Sequence, residues 1–168
     1  MKDLIDALVD TKKTKSIEVA KTLKLVSNND KSYNLVIRKA NLNLEDAKNI
    51  ANAINQIDQN KGPKLHTLSV GFNKNLKDEG VITVLNLIPK TTSVIAFVEC
   101  GITDEAGQAI IDWVAKKNNL NEIYIEGNAF LKEMESKLEK LRADNPQITV
   151  LREWYSESFK KMVKKTFN

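Results

Sequence analysis

The 168-residue chain contains only one cysteine and one histidine. Cys100 cannot form an internal disulfide, and together with His66 it supplies too few ligands for a structural zinc site of the usual cysteine and histidine type. So little cysteine is typical of a protein that works in a reducing, intracellular compartment. We therefore expect no metal and no other cofactor.

Long apolar runs are also missing from the sequence. No stretch approaches the roughly 18 consecutive apolar residues that a membrane-spanning helix needs. Asp3 and Asp6 lie where a secretory signal peptide would be apolar. We expect a chain that neither enters a membrane nor follows the general secretory route. With 42% hydrophobic and 29% charged residues, the composition is that of one ordinary globular domain.

Positive charge is concentrated at the two ends of the chain. The formal net charge is +4, yet residues 32–151 carry fourteen basic and fifteen acidic side chains. A slightly acidic middle has the wrong sign for a face that binds phosphates. The charge distribution therefore argues against nucleic acid as a partner.

One apolar pattern, Leu-x-x-Leu-x-Leu-x-x-Asn/Cys-x-Leu, recurs along the chain. Clear copies begin at Leu65, Thr92 and Leu120, and weaker copies begin at Ser32 and Asn145. Three copies carry the polar residue of the motif, at a place that we call the ladder position: Asn73, Cys100 and Asn128. These residues are 27 and 28 positions apart, which leaves room for a full helix in each repeat.

Helical segments are expected after the ladder positions. Polar or acidic residues beginning at Asn43, Asp78 and Thr103 are followed by apolar residues at helical spacing. Alternating strands and helices predict an α/β fold with parallel strands, in which each unit buries its apolar face against its neighbours. We expect this array over residues 32–151, a helical cap over residues 1–31, and a capping helix or tail over residues 152–168.

The repeated units resemble the ribonuclease-inhibitor class of leucine-rich repeats, in which Asp-Glu-Gly or Asp-Glu-Ala-Gly follows the ladder position and precedes an amphipathic helix. Residues 78–80 and 104–107 match that signature. The units are also similar to the C-terminal repeats of tropomodulin. The sequence departs from the pattern at Ala40, in a one-residue slip after Asn73, and in a longer connection at residues 59–63. The resemblance implies a short horseshoe-shaped solenoid with strands on its concave face and helices on its convex face.

Few residues could carry catalysis. Cys100 occupies a ladder position, where the repeat register turns its side chain inward, and His66 lies near the start of a strand. The acidic pairs 78–79 and 104–105 are adjacent on helix starts, so their carboxylates do not face each other as a glycosidase pair must. The glycines lack the spacing of phosphate-binding loops. We therefore expect no enzymatic activity.

Strand alternation predicts which residues face a partner. If Leu68, Ile95 and Ile123 point into the core, their chain neighbours point to the concave face. The first column is Asn34, Thr67, Val94, Glu122 and Gln147; the second is Val36, Ser69, Ala96, Tyr124 and Thr149; the third is Arg38, Gly71, Val98, Glu126 and Leu151. From these and the residues just beyond them, the predicted partner-binding set is Val94, Ala96, Val98, Glu99, Glu122, Tyr124, Glu126, Phe72 and Arg38.

Within that set we expect an exposed apolar patch with an acidic rim. The patch would consist of Val94, Ala96, Val98 and Tyr124, and such a combination is typical of partner sites. The competing interpretation is that these residues merely suit strands, or that the chain's own termini cover them.

The predicted function is a non-enzymatic module that binds, and by occlusion inhibits, a partner protein, either an enzyme or a second effector. We expect a monomer when the chain is alone. The Lys-, Asn- and Ile-rich composition resembles that of effectors which intracellular bacterial pathogens deliver by type IV secretion. That resemblance implies a bacterial cytoplasmic protein delivered to the host cytosol. The alternative is a cytoskeletal or structural binder similar to tropomodulin repeats.

The last segment of the chain leaves three interpretations open. Phe159, Met162, Val163 and Phe167 share one helical face, with lysines opposite or flanking it. The segment could be a capping helix, a basic helix that lies on an anionic membrane, or an export signal.

Overall fold

The structure is a computed structural model that describes residues 1–26, 30–116 and 119–152. Within these residues there are six helices and five strands. In chain order they are α1 (Lys2–Asp10), α2 (Thr14–Leu23), β1 (Ser32–Val36), α3 (Leu44–Gln59), β2 (Lys64–Ser69), α4 (Lys77–Leu87), β3 (Val94–Ala96), α5 (Asp104–Ala115), β4 (Glu122–Tyr124), α6 (Lys132–Asp144) and β5 (Thr149–Leu151). The capping helix or tail expected at the C-terminal end lies, beyond Arg152, outside the described residues.

All five strands form one parallel sheet whose spatial order is the chain order, β1-β2-β3-β4-β5. One helix joins each strand to the next, from α3 to α6 in turn, and each of these helices contacts the next one along the chain. This arrangement confirms the predicted α/β fold with a parallel sheet. No helix in the described parts of the chain is both long enough and apolar enough to cross a bilayer.

The core lies between the sheet and the helices α3 to α6. The strand residues that were predicted to point inward are buried to 95% or more: Leu35, Leu68, Ile95, Ile123 and Val150. Helix residues such as Ile50, Ile54 and Val84 complete the same apolar cluster. We call the opposite side of the sheet the open face; its middle row consists of Val36, Ser69, Ala96, Tyr124 and Leu151.

The two N-terminal helices are attached to the first helix of the array. Helix α1 contacts both α2 and α3, and Leu4 and Leu8 are completely buried. Lys13 forms an ion pair with Asp46 in the first turn of α3. Asp46 also closes a capping box with Asn43, so one carboxylate both caps α3 and holds the N-terminal helices against it.

The turn after each of the first four strands has the same backbone conformation. At equivalent positions Lys39, Phe72, Glu99 and Gly127 have φ angles of 54°, 63°, 46° and 71°. Residues with a side chain rarely adopt positive φ. The amides of Lys39 and Glu99 donate to the backbone of the next unit, at 3.1 Å to Gly71 O and 2.9 Å to Glu126 O. Pairing with the next unit therefore imposes the turn, whichever residue occupies it.

Asn73 supplies hydrogen bonds to two neighbouring turns from a completely buried position. Its Oδ1 accepts from the amides of Ala40 and Leu42 at 2.9 and 3.1 Å. Its Nδ2 donates to the carbonyls of Ile37 and Val70 at 2.8 and 2.7 Å. Two units later Asn128 makes the equivalent bonds to the backbone of Cys100, Ile102, Phe97 and Ile125. The ladder asparagines thus satisfy backbone groups that the turns would otherwise leave unpaired.

Cys100 occupies the ladder position between the two asparagines and is also completely buried. Its Sγ lies 3.4 Å from Val70 O and 3.6 Å from Val98 O, within the range of thiol hydrogen bonds. Burial raises the pKa of the Cys100 thiol to about 12, although the backbone N–H of Asn73 lowers it in part. The thiol is therefore protonated at neutral pH and acts as a weak donor inside the turn.

The predicted register of the last strand is wrong by two residues. Glu122 pairs with Thr149, and Tyr124 pairs with Leu151, where Gln147 and Thr149 were expected. Ile148, a predicted strand residue, lies before β5 in a turn closed by a hydrogen bond from its own amide to Asn145 O. A shift of two residues keeps every side chain on its predicted face, so the alternation could not reveal the error.

Two of the acids at the helix starts bond to the start of the following helix. Asp78, in the first turn of α4, accepts from the backbone of Thr103 at 2.7 Å and of Ala106 at 3.2 Å, and also from the Thr103 hydroxyl. One unit later Asp104 accepts from the amide of Leu131 at 2.8 Å. Each carboxylate therefore caps the start of the following helix and ties neighbouring units together.

Candidate functional site

A shallow groove of about 640 Å³ runs across the open face from β1 to β4. Every residue that lines it belongs to a strand or to the positions directly after one. The lining consists of Val36, Arg38, Thr67, Ser69, Val94, Ala96, Val98, Glu122, Tyr124 and Glu126. The groove thus lies on the predicted side of the sheet.

The structure brings together most of the predicted partner-binding residues. Seven of them line the groove: Arg38, Val94, Ala96, Val98, Glu122, Tyr124 and Glu126. The other two, Phe72 and Glu99, occupy the turns with positive φ that follow β2 and β3. They form part of the rim at the ends of the strands.

The apolar patch is less exposed than predicted. Ala96 and Val98 each keep only 8% of their surface accessible, so the expectation of an exposed patch is wrong for these two residues. The backbone of Gly71 lies directly beside Val98, since a Cβ added to Gly71 would lie 3.4 Å from the Val98 Cβ. Val94 and Tyr124 remain half-buried. The apolar residues are therefore the floor of the groove, and Tyr124 stands on that floor.

Glu126 is the most unusual residue of the site. It is 6% exposed, and its Oε2 atom has no hydrogen-bond partner among the described residues. Burial raises the pKa of this carboxyl, and the backbone N–H of Glu126 and the charge of Arg38 lower it in part. A buried carboxyl oxygen without a hydrogen-bond partner destabilises the folded chain, which is unusual for a residue with a purely structural role.

The second acid of the groove is engaged within the chain. Glu122 accepts a hydrogen bond from the hydroxyl of Tyr124, two residues along the same strand. This bond fixes the aromatic ring on the groove floor and occupies one of the carboxylate oxygens. The two acids therefore differ, because Glu122 bonds to Tyr124, whereas Glu126 Oε2 has no hydrogen-bond partner in the part of the chain that the structure describes.

The basic residues at the rim are held by an aromatic ring. The guanidinium of Arg38 lies 4.9 Å from the centre of the Phe72 ring, and the ammonium of Lys39 lies 5.1 Å from it. Further along the rim, Lys74 forms an exposed ion pair with Glu99 at 3.3 Å. Arg38 thus lines the groove together with the acids Glu122 and Glu126, whereas Lys39 and Lys74 lie at the turns.

Sequence reasoning missed several residues of the surface. Val36, Thr67 and Ser69 were placed on the correct face but not in the binding set, although Val36 is 45% exposed and lines the groove. Trp113 was not considered at all. It lines a second depression, of about 360 Å³, between α4 and α5 on the helical side. A half-buried tryptophan on an amphipathic helix could have suggested this second surface.

The residues that could have indicated catalysis are not brought together. Cys100 is buried in the turn after β3, whereas His66 is exposed near the start of β2. In residues 1–26, 30–116 and 119–152 there is no group of three His, Cys, Asp or Glu side chains placed to hold a metal ion. The chain matches no model of a protein family and no curated protein.

Proposed function

We propose that this protein is a leucine-rich-repeat solenoid that binds a partner protein through the groove on its open face, without catalysing a reaction. The observation that carries the proposal is the groove itself, where an apolar floor, an oriented tyrosine and a buried carboxyl meet, one oxygen of which has no hydrogen-bond partner among the described residues. In a solenoid of this kind, the open face would be the concave side.

Two features of the backbone support the solenoid. The buried ladder side chains make repeated hydrogen bonds, and the turn after each of the first four strands repeats the same positive φ angle. Both recur at the spacing of the sequence pattern, so each strand-helix unit is built in the same way. Stacked units of this kind provide a broad, rigid surface that suits a protein partner better than a small molecule.

Tyr124 is the expected centre of the contact. Partly buried aromatic side chains supply much of the binding energy in protein interfaces, and the hydrogen bond to Glu122 holds this ring in one orientation. A partner that covers the groove would bury the ring together with Val94 and Val36. If that partner is an enzyme, the same contact would occlude its active site.

The experiment is affinity capture from bacterial and host-cell lysates with the wild-type chain, followed by binding measurements on each identified protein. Tyr124→Ala should weaken the interaction by about 2 kcal/mol or more without lowering the melting temperature appreciably. Trp113→Ala is the matched control, because it removes an aromatic ring from the opposite surface.

The outcomes separate the candidate roles. Capture of one enzyme, with loss of its activity in the complex, supports an inhibitor; capture of actin supports the structural alternative. Either partner must depend on Tyr124. If Trp113→Ala abolishes binding and Tyr124→Ala does not, the helical surface is the site and the open-face proposal fails.

A further inference from the structure

The open-face groove contains a carboxyl group that the described chain satisfies only in part, through backbone N–H groups and the charge of Arg38. Glu126 is 94% buried at the edge of the apolar floor, and its Oε2 has no hydrogen-bond partner among the described residues. A buried carboxylate normally has a cation or several N–H donors around it. The missing interaction therefore defines the chemistry of whatever completes the site.

Arg38 does not supply that interaction. Its guanidinium is held over the Phe72 ring at 4.9 Å, and the salt bridges of the described residues include none between Arg38 and Glu126. Its charge acts on Glu126 only through space. Among the described residues, two further cations also have acidic partners, since Lys74 pairs with Glu99 and Arg152 pairs with Glu139 at 2.6 Å.

We infer that the partner protein inserts one lysine or arginine side chain into the groove, where its cationic end binds Glu126 and its aliphatic stem lies on Val94, Ala96 and Val98. Such side chains combine an apolar stem with a charged end, and the groove presents an apolar floor that leads to a carboxylate. Glu122 and the Tyr124 ring would flank the same stem. This inference rests on the proposed function and specifies the partner residue that the site recognises.

The test begins with a phage library of random linear peptides, selected on the full chain at neutral pH. We expect enriched sequences to share one lysine or arginine with apolar neighbours. Enriched sequences without a shared basic position, or no enrichment at all, would overturn the inference. Because it needs no natural partner, this selection can fail while the Tyr124-dependent capture of a whole protein still succeeds, and the two proposals are thereby distinguished.

The second step measures the best peptide, labelled with a fluorophore, against variants of the chain. Glu126→Gln keeps the shape of the side chain and removes its charge, so it should weaken binding by about tenfold or more. Glu122→Gln is the matched control and should have a clearly smaller effect, because that carboxylate already has a partner in Tyr124. Replacing the basic residue of the peptide by norleucine should abolish the difference between wild type and Glu126→Gln. Equal losses for the two Gln variants would mean that general negative charge, and not Glu126, attracts the peptide.

If the site were occupied by something other than a separate partner, the melting temperature or the oligomeric state of the free protein would respond differently to Glu126→Gln. If a separate partner protein completes the site, Glu126→Gln should raise the melting temperature of the free protein by a few degrees, since it removes an unpaired buried charge. A lower melting temperature would mean that a cation of the chain itself, such as a lysine of residues 153–168, already occupies the site. A concentration-dependent dimer that Glu126→Gln dissociates would make a second copy the occupant. Either result would overturn the inference of a separate partner.

Discussion

Asn73 shows how one residue can determine the shape of a backbone segment. Its side chain makes four short hydrogen bonds to two successive turns while completely buried. The ladder role of this position could be predicted from the sequence, because the motif places a polar residue where the apolar pattern predicts burial. Which backbone groups it serves could not be predicted. They belong largely to the preceding unit, whose own ladder position holds Ala40 and has no side chain able to do this.

Asn73→Ala should therefore be strongly destabilising. The substitution removes the side-chain partner of two interior amides and of the Ile37 carbonyl, and leaves Val70 O with the weak thiol bond of Cys100, which should cost more than about 3 kcal/mol and lower the melting temperature by roughly 10 °C. Asn75→Ala is the control two residues away, since Asn75 is exposed and its amide nitrogen donates to the side chain of Asn41, which is also exposed. That variant should change stability by about 0.5 kcal/mol or less. Thermal melts followed by circular dichroism measure both, and similar losses would contradict the ladder.

The burial of Glu126 predicts how the stability of the protein depends on pH. Among the described residues, the charged groups that line the groove with it are Arg38 after β1 and Glu122 on β4, and Glu99 after β3 lies beside it, because the Glu99 amide donates to Glu126 O. Its pKa in the folded chain is raised above the ordinary value of 4.5, mainly by burial, so the folded state binds this proton more tightly than the unfolded state. The associated stabilisation is complete when the pH is below 4.5 and is lost as the pH rises through the folded value.

Glu126→Gln should consequently be more stable than wild type at neutral pH. The difference in melting temperature between the two proteins should disappear as the pH falls below 4.5. The measurement is a series of thermal melts of the two proteins across this range. Glu122→Gln provides the comparison, because it removes an acid that already has a hydrogen-bond partner and should show no such gain at neutral pH. If the difference in melting temperature between Glu126→Gln and wild type does not depend on pH, the buried charge is not the cause of that difference.

At the scale of the elements, neighbouring units share their caps. Asp78 belongs to α4 but caps the start of α5, and Asp104 belongs to α5 but bonds to Leu131 before α6. The sequence could indicate acids suited to helix starts, because Asp and Glu in a first turn are a general signal. It could not indicate that the bonds cross between units, since that depends on the offset between neighbouring helices. The two-residue error in the predicted register of β5 has a related cause. A shift of two residues leaves the alternation of buried and exposed positions unchanged, so the sequence pattern does not reveal it.

Asp78→Ala should therefore weaken α5 and leave the start of α4 largely intact. Loss of the bonds to Thr103 and Ala106 should cost about 1 kcal/mol, as for other N-terminal caps. Glu79→Ala is the matched control, because it removes an exposed acid from the same turn of α4. Amide hydrogen exchange of the two variants gives the location as well as the size of the effect. Faster exchange at the start of α4, with α5 unchanged, would mean that Asp78 caps its own helix.

At the scale of the whole molecule, burial on the two sides of the sheet was not equally predictable. The inward residues follow from alternation alone, because a strand in this array has one face against helices. Exposure on the open face depends on which side chains of adjacent strands lie next to each other. That is set by the register between the strands, which cannot be predicted from alternation alone. That is why Ala96, Val98 and Glu126 are far more buried than expected.

The last prediction tests the two faces with adjacent residues of β1. Leu35 is completely buried against the helices, whereas Val36 is 45% exposed on the open face. Leu35→Asp places a charge in the core, which should cost more than the few kcal/mol by which a domain of this size is stable and should prevent folding. Val36→Asp introduces the same side chain one residue further along and should cost no more than about 1 kcal/mol. Circular dichroism and thermal melts of the two variants make the comparison. A folded Leu35→Asp, or an unfolded Val36→Asp, would mean that the sheet is turned the other way and that the groove is not on the molecular surface.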